Sequence, residues 1–532
     1  MRVPLAVRAG MPTVRMGRIE VPPPSRGRAI ALSLAAGCVL ATGPVWAQSV
    51  RLNPAATVRV TATNNAGLGP KDQAKSDVIF DVAPTLGISI TGANYSLEGS
   101  VGLEAVAYAG NEQSSDLFPR ARLALRSNPI ERLFFLDASV DATTTSSDPF
   151  AARIDADAPF AQQAITQYAT RVSPYIQANL QPKLRFVARS DNEWVQRRNG
   201  SRTTSLSDQD ARFQRSVVRL AHDPVPMGFV VEATADETRY PDRPDAGLSL
   251  DAARIGVNYL LDAQLLVGLI AGRERSAFSF TDKSDPIRGM SLRWTPTERT
   301  TVSMLGERRF FGNGWDVAFS HRSPFLAISG ALRRQPVIDA SSLGISPAGS
   351  DLAALLDSIF TTRIPNEADR ARAVQDYLLR NNLPSKLPEA VEVFAGGARL
   401  NESGSVTLAL MGTRQLVSFT LFGQRDTNLN RVDQPILVVS ADEVRQYGGS
   451  ALYSRQLTSQ RSIEAALTGV ATDGLGLRAG DYTRDWSLHL SVTEALTPRT
   501  NVVFGFRRQL ILSNAVPPTQ ETRVFSGVAH RF

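Results

Sequence analysis

Apolar side chains recur at every second position through most of this chain. From Val78 to Ile90, the residues at alternate positions are Val, Phe, Val, Pro, Leu, Ile and Ile, and the positions between them are mostly small or polar. This period of two is typical of strands with one apolar face. The same pattern recurs at Val58/Val60/Ala62, Ala121/Leu123/Leu125, Ile255/Val257/Tyr259/Leu261, Met290/Leu292/Trp294, Val417/Phe419/Leu421 and Val502/Phe504/Phe506.

The length of these segments separates two classes of all-β protein. Each alternating segment runs for roughly 10–15 residues, whereas strands of soluble sheets are usually about 5–6 residues long. A tilted strand needs about 9–11 residues to cross the hydrocarbon of a bilayer. The sequence therefore predicts an all-β protein, a transmembrane antiparallel β-barrel rather than a soluble sandwich.

Connections between the segments alternate between short turns and longer polar loops. Outer-membrane barrels have short periplasmic turns and longer extracellular loops. Counting segments gives 23 strands if 391–399 is included and 22 if it is not, and only the second count is even and keeps the later long loops on one side. We therefore predict about 22 strands, within a range of 20–24. The first part of the barrel is predicted at 48–336 and its C-terminal part at 403–532.

The segment 337–402 is predicted as a helical insertion between strands 15 and 16. Leu352, Leu355, Leu356, Ile359 and Phe360 follow helical spacing after Asp351, a potential N-cap. A second helix is predicted from Asn366 to Asn382, before Pro384. The insertion could be a surface loop, or a plug or lid over the lumen, and strand parity favours the extracellular side or the lumen.

The first 47 residues have the pattern of a secretory signal peptide. Arginines precede an apolar run at 29–41, and Val45-Trp46-Ala47 resembles a cleavage site. The long positive region leaves Met11 or Met16 as alternative start positions, and Cys38 leaves a lipoprotein site as an alternative to cleavage after Ala47. The predicted mature chain contains no cysteine and hence no disulfide.

The signal peptide also explains most of the net charge. The whole chain carries +7, from 58 basic and 51 acidic residues, and six arginines and one glutamate lie within 1–47. The remainder carries about +2, which argues against a nucleic-acid partner. The expected partners are outer-membrane lipid and the barrel assembly machinery, together with exopolysaccharide or proteins of an export complex.

The C-terminus ends in an alternating segment closed by an aromatic residue, Phe532. A terminal aromatic on a last strand is similar to the sorting signal of bacterial outer-membrane proteins. His530 stands where tyrosine is more usual. We predict that Phe532 is this signal and that the protein lies in the outer membrane of a Gram-negative cell.

No catalytic motif is evident in the sequence. The four histidines are scattered, and none pairs with another ligand at metal-binding spacing. There is no nucleophile elbow, phosphate-binding glycine loop or acidic calcium loop. We predict no enzymatic activity, no cofactor and no metal.

Charged residues within the predicted strands lie opposite the apolar face and are predicted to line the lumen. They form either a solvated wall of ion pairs or a conduit whose guanidinium groups bind carboxylates or sugar hydroxyls. The predicted lining residues are Arg59, Asp81, Glu98, Glu104, Arg120, Arg122, Arg254, Arg293, Arg333 and Arg507.

Several motifs resemble a known family. They are Trp294 to Thr300, Arg309 to Gly312, Phe319 to Arg322, Leu378 to Pro384, and Gly412-Thr413-Arg414 followed by Val417-Ser418-Phe419. They resemble the outer-membrane proteins associated with the PEP-CTERM/exosortase system, which are encoded near exopolysaccharide gene clusters. The resemblance implies an outer-membrane barrel that takes part in the export or surface anchoring of exopolysaccharide, with no catalytic residues. A general diffusion porin and a non-transporting structural or interaction barrel are the alternatives.

Overall fold

A computed structural model describes residues 49–110, 115–146, 150, 164–199, 209–241, 243–278, 281–338, 352–361, 363–380, 398–429 and 443–532. The predicted signal peptide, 1–47, lies outside these residues, as do Asp351 and the predicted end of the second helix beyond Arg380.

The described chain forms 22 β-strands and two α-helices. The strands are β1 Ser49–Thr63, β2 Asp77–Thr91, β3 Tyr95–Tyr108, β4 Asp116–Ile130, β5 Phe134–Ser146, β6 Ala164–Gln181, β7 Leu184–Asn199, β8 Gln209–His222, β9 Met227–Tyr240, β10 Arg243–Asp262, β11 Leu265–Phe278, β12 Thr281–Thr297, β13 Thr300–Arg309, β14 Gly312–Arg322, β15 Leu326–Val337, β16 Arg399–Met411, β17 Gln415–Asn428, β18 Val444–Gln456, β19 Arg461–Gly474, β20 Tyr482–Thr497, β21 Thr500–Ser513 and β22 Thr519–Arg531. The helices, α1 Leu352–Phe360 and α2 Glu367–Arg380, lie between β15 and β16.

Each strand pairs antiparallel with its neighbours in the chain, and the sheet closes on itself. Closure is made by β1 and β22, which pair from Ala55 opposite Arg531 to Thr63 opposite Arg523. A closed sheet leaves no unpaired edge, which is the condition for a sheet to cross a bilayer. The predicted fold and the predicted count of 22 strands are confirmed.

Short turns lie at one end of the barrel, where even-numbered strands lead into odd-numbered ones. The longest connections, including the one that carries both helices, lie at the other end. The short-turn end is the periplasmic end in outer-membrane barrels, and the long-loop end is extracellular. The connection between β9 and β10 at the long-loop end is short, because β9 ends at Tyr240 and β10, a strand of 20 residues, begins at Arg243.

Two of the short turns share a hydrogen-bonding pattern. In the turn between β12 and β13, the Thr297 hydroxyl bonds the Thr300 hydroxyl at 3.1 Å and accepts a bond from the Arg299 amide, and Thr300 contacts His321 Nδ1 at 2.8 Å. The turn between β20 and β21 repeats these contacts with Thr497, Thr500, Arg499 and His530. The two turns therefore share one hydrogen-bonded structure, in which a threonine, the first residue of the next strand and a histidine are linked.

The outer face of the barrel is apolar. Large side chains such as Phe80, Leu269, Met290, Leu421 and Phe504 lie on it with 46–71% of their surface exposed. A closed barrel with an apolar exterior matches a lipid environment, and its 22 strands mark it as an outer-membrane barrel. Among the described residues, no helix is long and apolar enough to span a bilayer.

Candidate functional site

The inner face of the barrel is polar. The alternation of each strand places all ten predicted lining residues on this face, opposite the apolar exterior. Twenty-two strands spaced about 4.8 Å apart and tilted by about 40° would give a round barrel a backbone diameter of roughly 44 Å. This lumen is the candidate functional site because a barrel of that size is a passage unless something fills it.

Opposite charges pair along the inner wall formed by β1 to β5. Arg59 lies directly opposite Asp81 in the ladder of β1 and β2. Arg120 forms an ion pair with Glu104, and Arg122 lies 3.5 Å from Asp141. This part of the wall is therefore charged but nearly neutral.

Two glycines allow an ion pair to form between strands that are not neighbours. Arg254 on β10 donates to Glu307 on β13 at 3.0 Å, across β11 and β12. Gly272 lies opposite Arg254, and Gly289 lies opposite Glu307. A Cβ at Gly289 would lie 2.9 Å from Cγ of Glu307 and 2.5 Å from the Gly306 carbonyl oxygen. The missing side chains leave room for the two long ones to meet over the sheet.

The remaining predicted residues differ in their surroundings. Arg333 donates to Asp316 at 3.1 Å. Arg507 is buried and donates to Gln509, which donates in turn to Asp485 at 2.9 Å. Glu98 and Arg293 are exposed on the luminal face.

Several luminal ion pairs were missed by sequence reasoning. Glu274, with no exposed side-chain surface, accepts two bonds from Arg309 at 2.6 and 2.8 Å. Buried Glu193 pairs with Arg171 at 2.7 Å. Alternation places all four residues on the inner face, and this signal was available in the sequence. The partners could not be identified because pairing depends on strand register.

An apolar patch interrupts the polar wall on β15 to β18. Ala327, Ala409, Met411, Leu416 and Leu452 face inward and are at most 8% exposed. Ala327 is the second residue of β15, and Met411 and Leu416 flank the turn between β16 and β17. The patch therefore lies inside the lumen near the short-turn, periplasmic end.

Helix α1 covers this patch. Its apolar stripe of Leu352, Leu355, Leu356, Ile359 and Phe360 is 0–8% exposed and packs against the wall residues in one cluster. The helical insertion thus extends from the long-loop end of the barrel down to the periplasmic end of the lumen. It lies inside the barrel, whereas a surface loop would leave the apolar stripe of α1 exposed.

Helix α2 packs against α1 and completes a helical hairpin, defined here as residues 352–380. Arg370 donates to the Asp357 carboxylate at 2.7 Å and also to the carbonyl of Ile364 in the connection. Phe360 and Tyr377 make an edge-to-face contact with ring centroids 6.1 Å apart. Burial raises the pKa of the Tyr377 hydroxyl.

The start of α2 shows why the sequence folds into a helix at this point. The Asn366 side-chain oxygen accepts a bond from the Asp369 amide at 3.0 Å, which is an N-cap. Glu367 and Asp369 lie in the first turn, where acidic residues favour the helix dipole. The second helix is predicted to begin at Asn366, and in the structure Asn366 caps the first turn of α2.

A cleft of about 230 Å³ lies between α1 and β13, β14 and β15. Ser358 lies on its helix side, and Arg299, Ser320, Arg322 and Ser329 are among the wall residues that line it. Helix α1 thus packs on the apolar patch and also borders this cleft, which Ala327 and Leu355 of the apolar cluster line as well.

The last residue of the chain lies at the periplasmic end. Phe532 is 67% exposed, and its amide donates to the Pro54 carbonyl of β1 at 3.0 Å. Its ring makes an edge-to-face contact with His530. The final strand therefore presents its terminal aromatic side chain at the surface, and its role as a sorting signal stays a prediction.

Among the described residues, no group of three or more His, Cys, Asp or Glu side chains could hold a metal ion. No protein-family model matches the chain, and neither does any curated protein.

The chain is similar to several solved outer-membrane structures at low identity. One is the FrpB iron transporter from Neisseria meningitidis (F5-1 variant), at 11% identity over 90% of this chain and 82% of that chain, with a TM-score of 0.43. Another is the siderophore receptor PirA from Pseudomonas aeruginosa, at 10% identity over 91% and 80%, with a TM-score of 0.43. A third is OccK5 from Pseudomonas aeruginosa, at 10% identity over 91% and 99%, with a TM-score of 0.34. At these identities the likeness concerns the fold alone.

Proposed function

We propose that this outer-membrane barrel is a non-enzymatic conduit for exopolysaccharide, and that its own helical hairpin closes the conduit. In this proposal the polysaccharide passes outward through the lumen or is held there at the cell surface. The observation that carries the proposal is the packing of α1 on an apolar patch at the periplasmic end of the inner wall.

The chemistry of the wall suits an uncharged or weakly charged polymer. Arginines and carboxylates are paired along much of it, as in Arg254 with Glu307 and Arg309 with Glu274. A luminal wall that carried charge of only one sign would attract small ions of the opposite charge. Paired guanidinium and carboxylate groups instead offer donors and acceptors to sugar hydroxyls at little net charge.

The closing role of the hairpin follows from its location. A 22-stranded barrel leaves a lumen wide enough that related architectures need a plug. The hairpin occupies the periplasmic end of the lumen, is connected to the wall at 338 and 398, and is held mainly by apolar contacts. Displacing α1 would open the passage without breaking any strand pairing.

The structure suggests a clean deletion to test the proposal. Val337 and Arg399 are the last paired residues of β15 and β16, so replacing 338–398 by Asn-Gly joins the strands through an ordinary two-residue hairpin. We expect the intact chain to conduct weakly in planar bilayers and the deletion variant to conduct strongly. A folded deletion variant that shows no conductance would contradict both the export and the porin function. The structural or interaction barrel would then be the remaining interpretation.

A cellular experiment separates export from general diffusion. Deleting the gene should abolish surface polysaccharide while synthesis inside the cell continues, and small-solute uptake should stay unchanged. Normal surface polysaccharide together with reduced solute uptake would instead identify a general diffusion porin.

A further inference from the structure

Three exposed arginines form a cluster on the outer face of the barrel, defined here as Arg273, Arg288 and Arg308. Arg288 on β12 and Arg308 on β13 are directly opposite each other. Arg273 on β11 lies opposite Pro286, two residues before Arg288. Side chains directly opposite in a ladder are about 5 Å apart at Cβ, and diagonal ones about 7–8 Å. Three guanidinium groups can therefore converge on one anion.

The cluster lies on the lipid-facing side, at the upper edge of the apolar band. Arg288 is two residues from Met290, and Arg308 is four residues from Met304, and both methionines are exposed to lipid. Arg308 is eight residues from the start of β13 at the periplasmic end. At about 3.4 Å per residue and a tilt near 40° this is roughly 20 Å, close to the top of an apolar band about 25 Å tall.

The cluster has no counter-charge from the described part of the chain. No described carboxylate forms an ion pair with Arg273, Arg288 or Arg308. Directly opposed like charges destabilise a sheet. Another opposed pair on the same face, Arg212 with Arg239, is compensated, because Arg239 forms two bonds to Glu237 at 2.7 and 2.9 Å.

A further opposed pair on the outer face also has a carboxylate beside it. Arg425 on β17 and Arg445 on β18 are directly opposed and exposed, and Asp473 on β19 lies directly opposite Arg445. The outer face near the closure of the barrel also carries an exposed arginine at this level, Arg508 on β21, but it lies between Leu488 and Thr522. Arg508 therefore has no second arginine opposite it, unlike Arg288 and Arg308.

We infer that this cluster binds the phosphate groups of a phosphorylated glycolipid of the lipid A class, the anionic lipid of the outer leaflet. Guanidinium groups bind phosphate through paired hydrogen bonds, and a phosphate supplies the missing counter-charge at the depth where lipid headgroups lie. The acyl chains of the same lipid would lie against the apolar band below the arginines.

The test compares binding of bis-phosphorylated lipid A to the full-length barrel and its variants in mixed micelles. The double variant R288Q/R308Q is expected to raise the Kd at least tenfold, and R288K/R308K by less, because lysine keeps the charge but not the paired geometry. The control R132Q/R455Q removes two exposed charges from the periplasmic end and should leave the Kd unchanged. Migration of unheated samples in detergent gels checks that each barrel is folded.

Two further arms identify the ligand. Dephosphorylated lipid A should bind the wild type at least tenfold more weakly, and millimolar inorganic phosphate should displace little of the bound lipid. Equal Kd values for the wild type and R288Q/R308Q would overturn the inference, as would equal binding of the dephosphorylated lipid. Complete displacement of the bound lipid A by inorganic phosphate would contradict the lipid as the ligand. It would show instead that the arginines bind a free anion.

Discussion

The contacts of α1 with the wall predict that two core truncations open the conduit. Leu356 and Ile359 have no exposed surface, and both lie in the cluster that joins the helix to β15 to β18. Replacing both by alanine removes apolar contacts from the docked hairpin and leaves the strand ladder unchanged. Since the docked state alone loses these contacts, the equilibrium shifts towards an undocked hairpin.

The size of the shift follows from the cost of such truncations. Buried Leu→Ala or Ile→Ala changes cost about 2–5 kcal/mol each, so the pair costs about 4–10 kcal/mol. About 5.5 kcal/mol moves a two-state equilibrium from 99:1 to 1:99. For a hairpin docked in 99 of 100 molecules, even the lower bound of about 4 kcal/mol leaves roughly nine in ten undocked.

The assay is single-channel conductance in planar bilayers. We expect L356A/I359A to show frequent open states that approach the conductance of the variant in which Asn-Gly replaces 338–398. The control Q375A alters an exposed position of α2 and should behave as the wild type. Wild-type conductance from a folded L356A/I359A barrel would refute the idea that these contacts hold the conduit closed.

Three more predictions concern the wall, the hairpin and the C-terminus. G289A should lower the heat-unfolding midpoint in detergent gels by an amount equivalent to about 1–3 kcal/mol, because its Cβ would crowd Glu307, whereas G306A should not, since nothing lies within 4 Å of a Cβ there. Conductance should also rise as the pH increases above about 10. Burial raises the pKa of Tyr377, so the docked state favours the neutral phenol over the phenolate. The docked hairpin is therefore fully stabilised below that pH and loses this stabilisation above it. Y377F should lack that pH step. Deleting Phe532 should lower the amount of folded barrel in outer-membrane fractions measured by immunoblot, and unchanged amounts would contradict its role in sorting.

Period-two alternation was sufficient to predict the barrel, because every strand faces lipid on one side and the lumen on the other. That rule alone places Arg59, Asp81 and Arg507 on the inner face. It could not predict that Arg254 reaches Glu307, because this contact depends on strand register and on Gly272 and Gly289 between the two residues.

Apolar residues at inward positions of β15 to β18 are a sequence signal for the location of the hairpin. Counting alternating segments does not use this signal. On most strands the inward positions carry charged or hydroxyl side chains. On β15 to β18 the inward positions include Ala327, Ala409, Leu416 and Leu452. These apolar side chains would be unfavourably exposed to water in an open lumen. An apolar inner face opposite an apolar outer face indicates that something covers it, and the apolar stripe of α1 is the segment of matching chemistry.

The central claim is that α1 lies inside the lumen at the periplasmic end, and cross-linking in native outer membranes tests it most directly. Ala354 of α1 and Arg299 of the turn between β12 and β13 line the same cleft. With Cys38 replaced by serine, the account predicts that A354C and R299C are joined by a short bismaleimide. A354C paired with Q335C, a cysteine on the inner face of β15 near its long-loop end, should not cross-link. Cross-linking to Q335C in place of R299C would contradict the account.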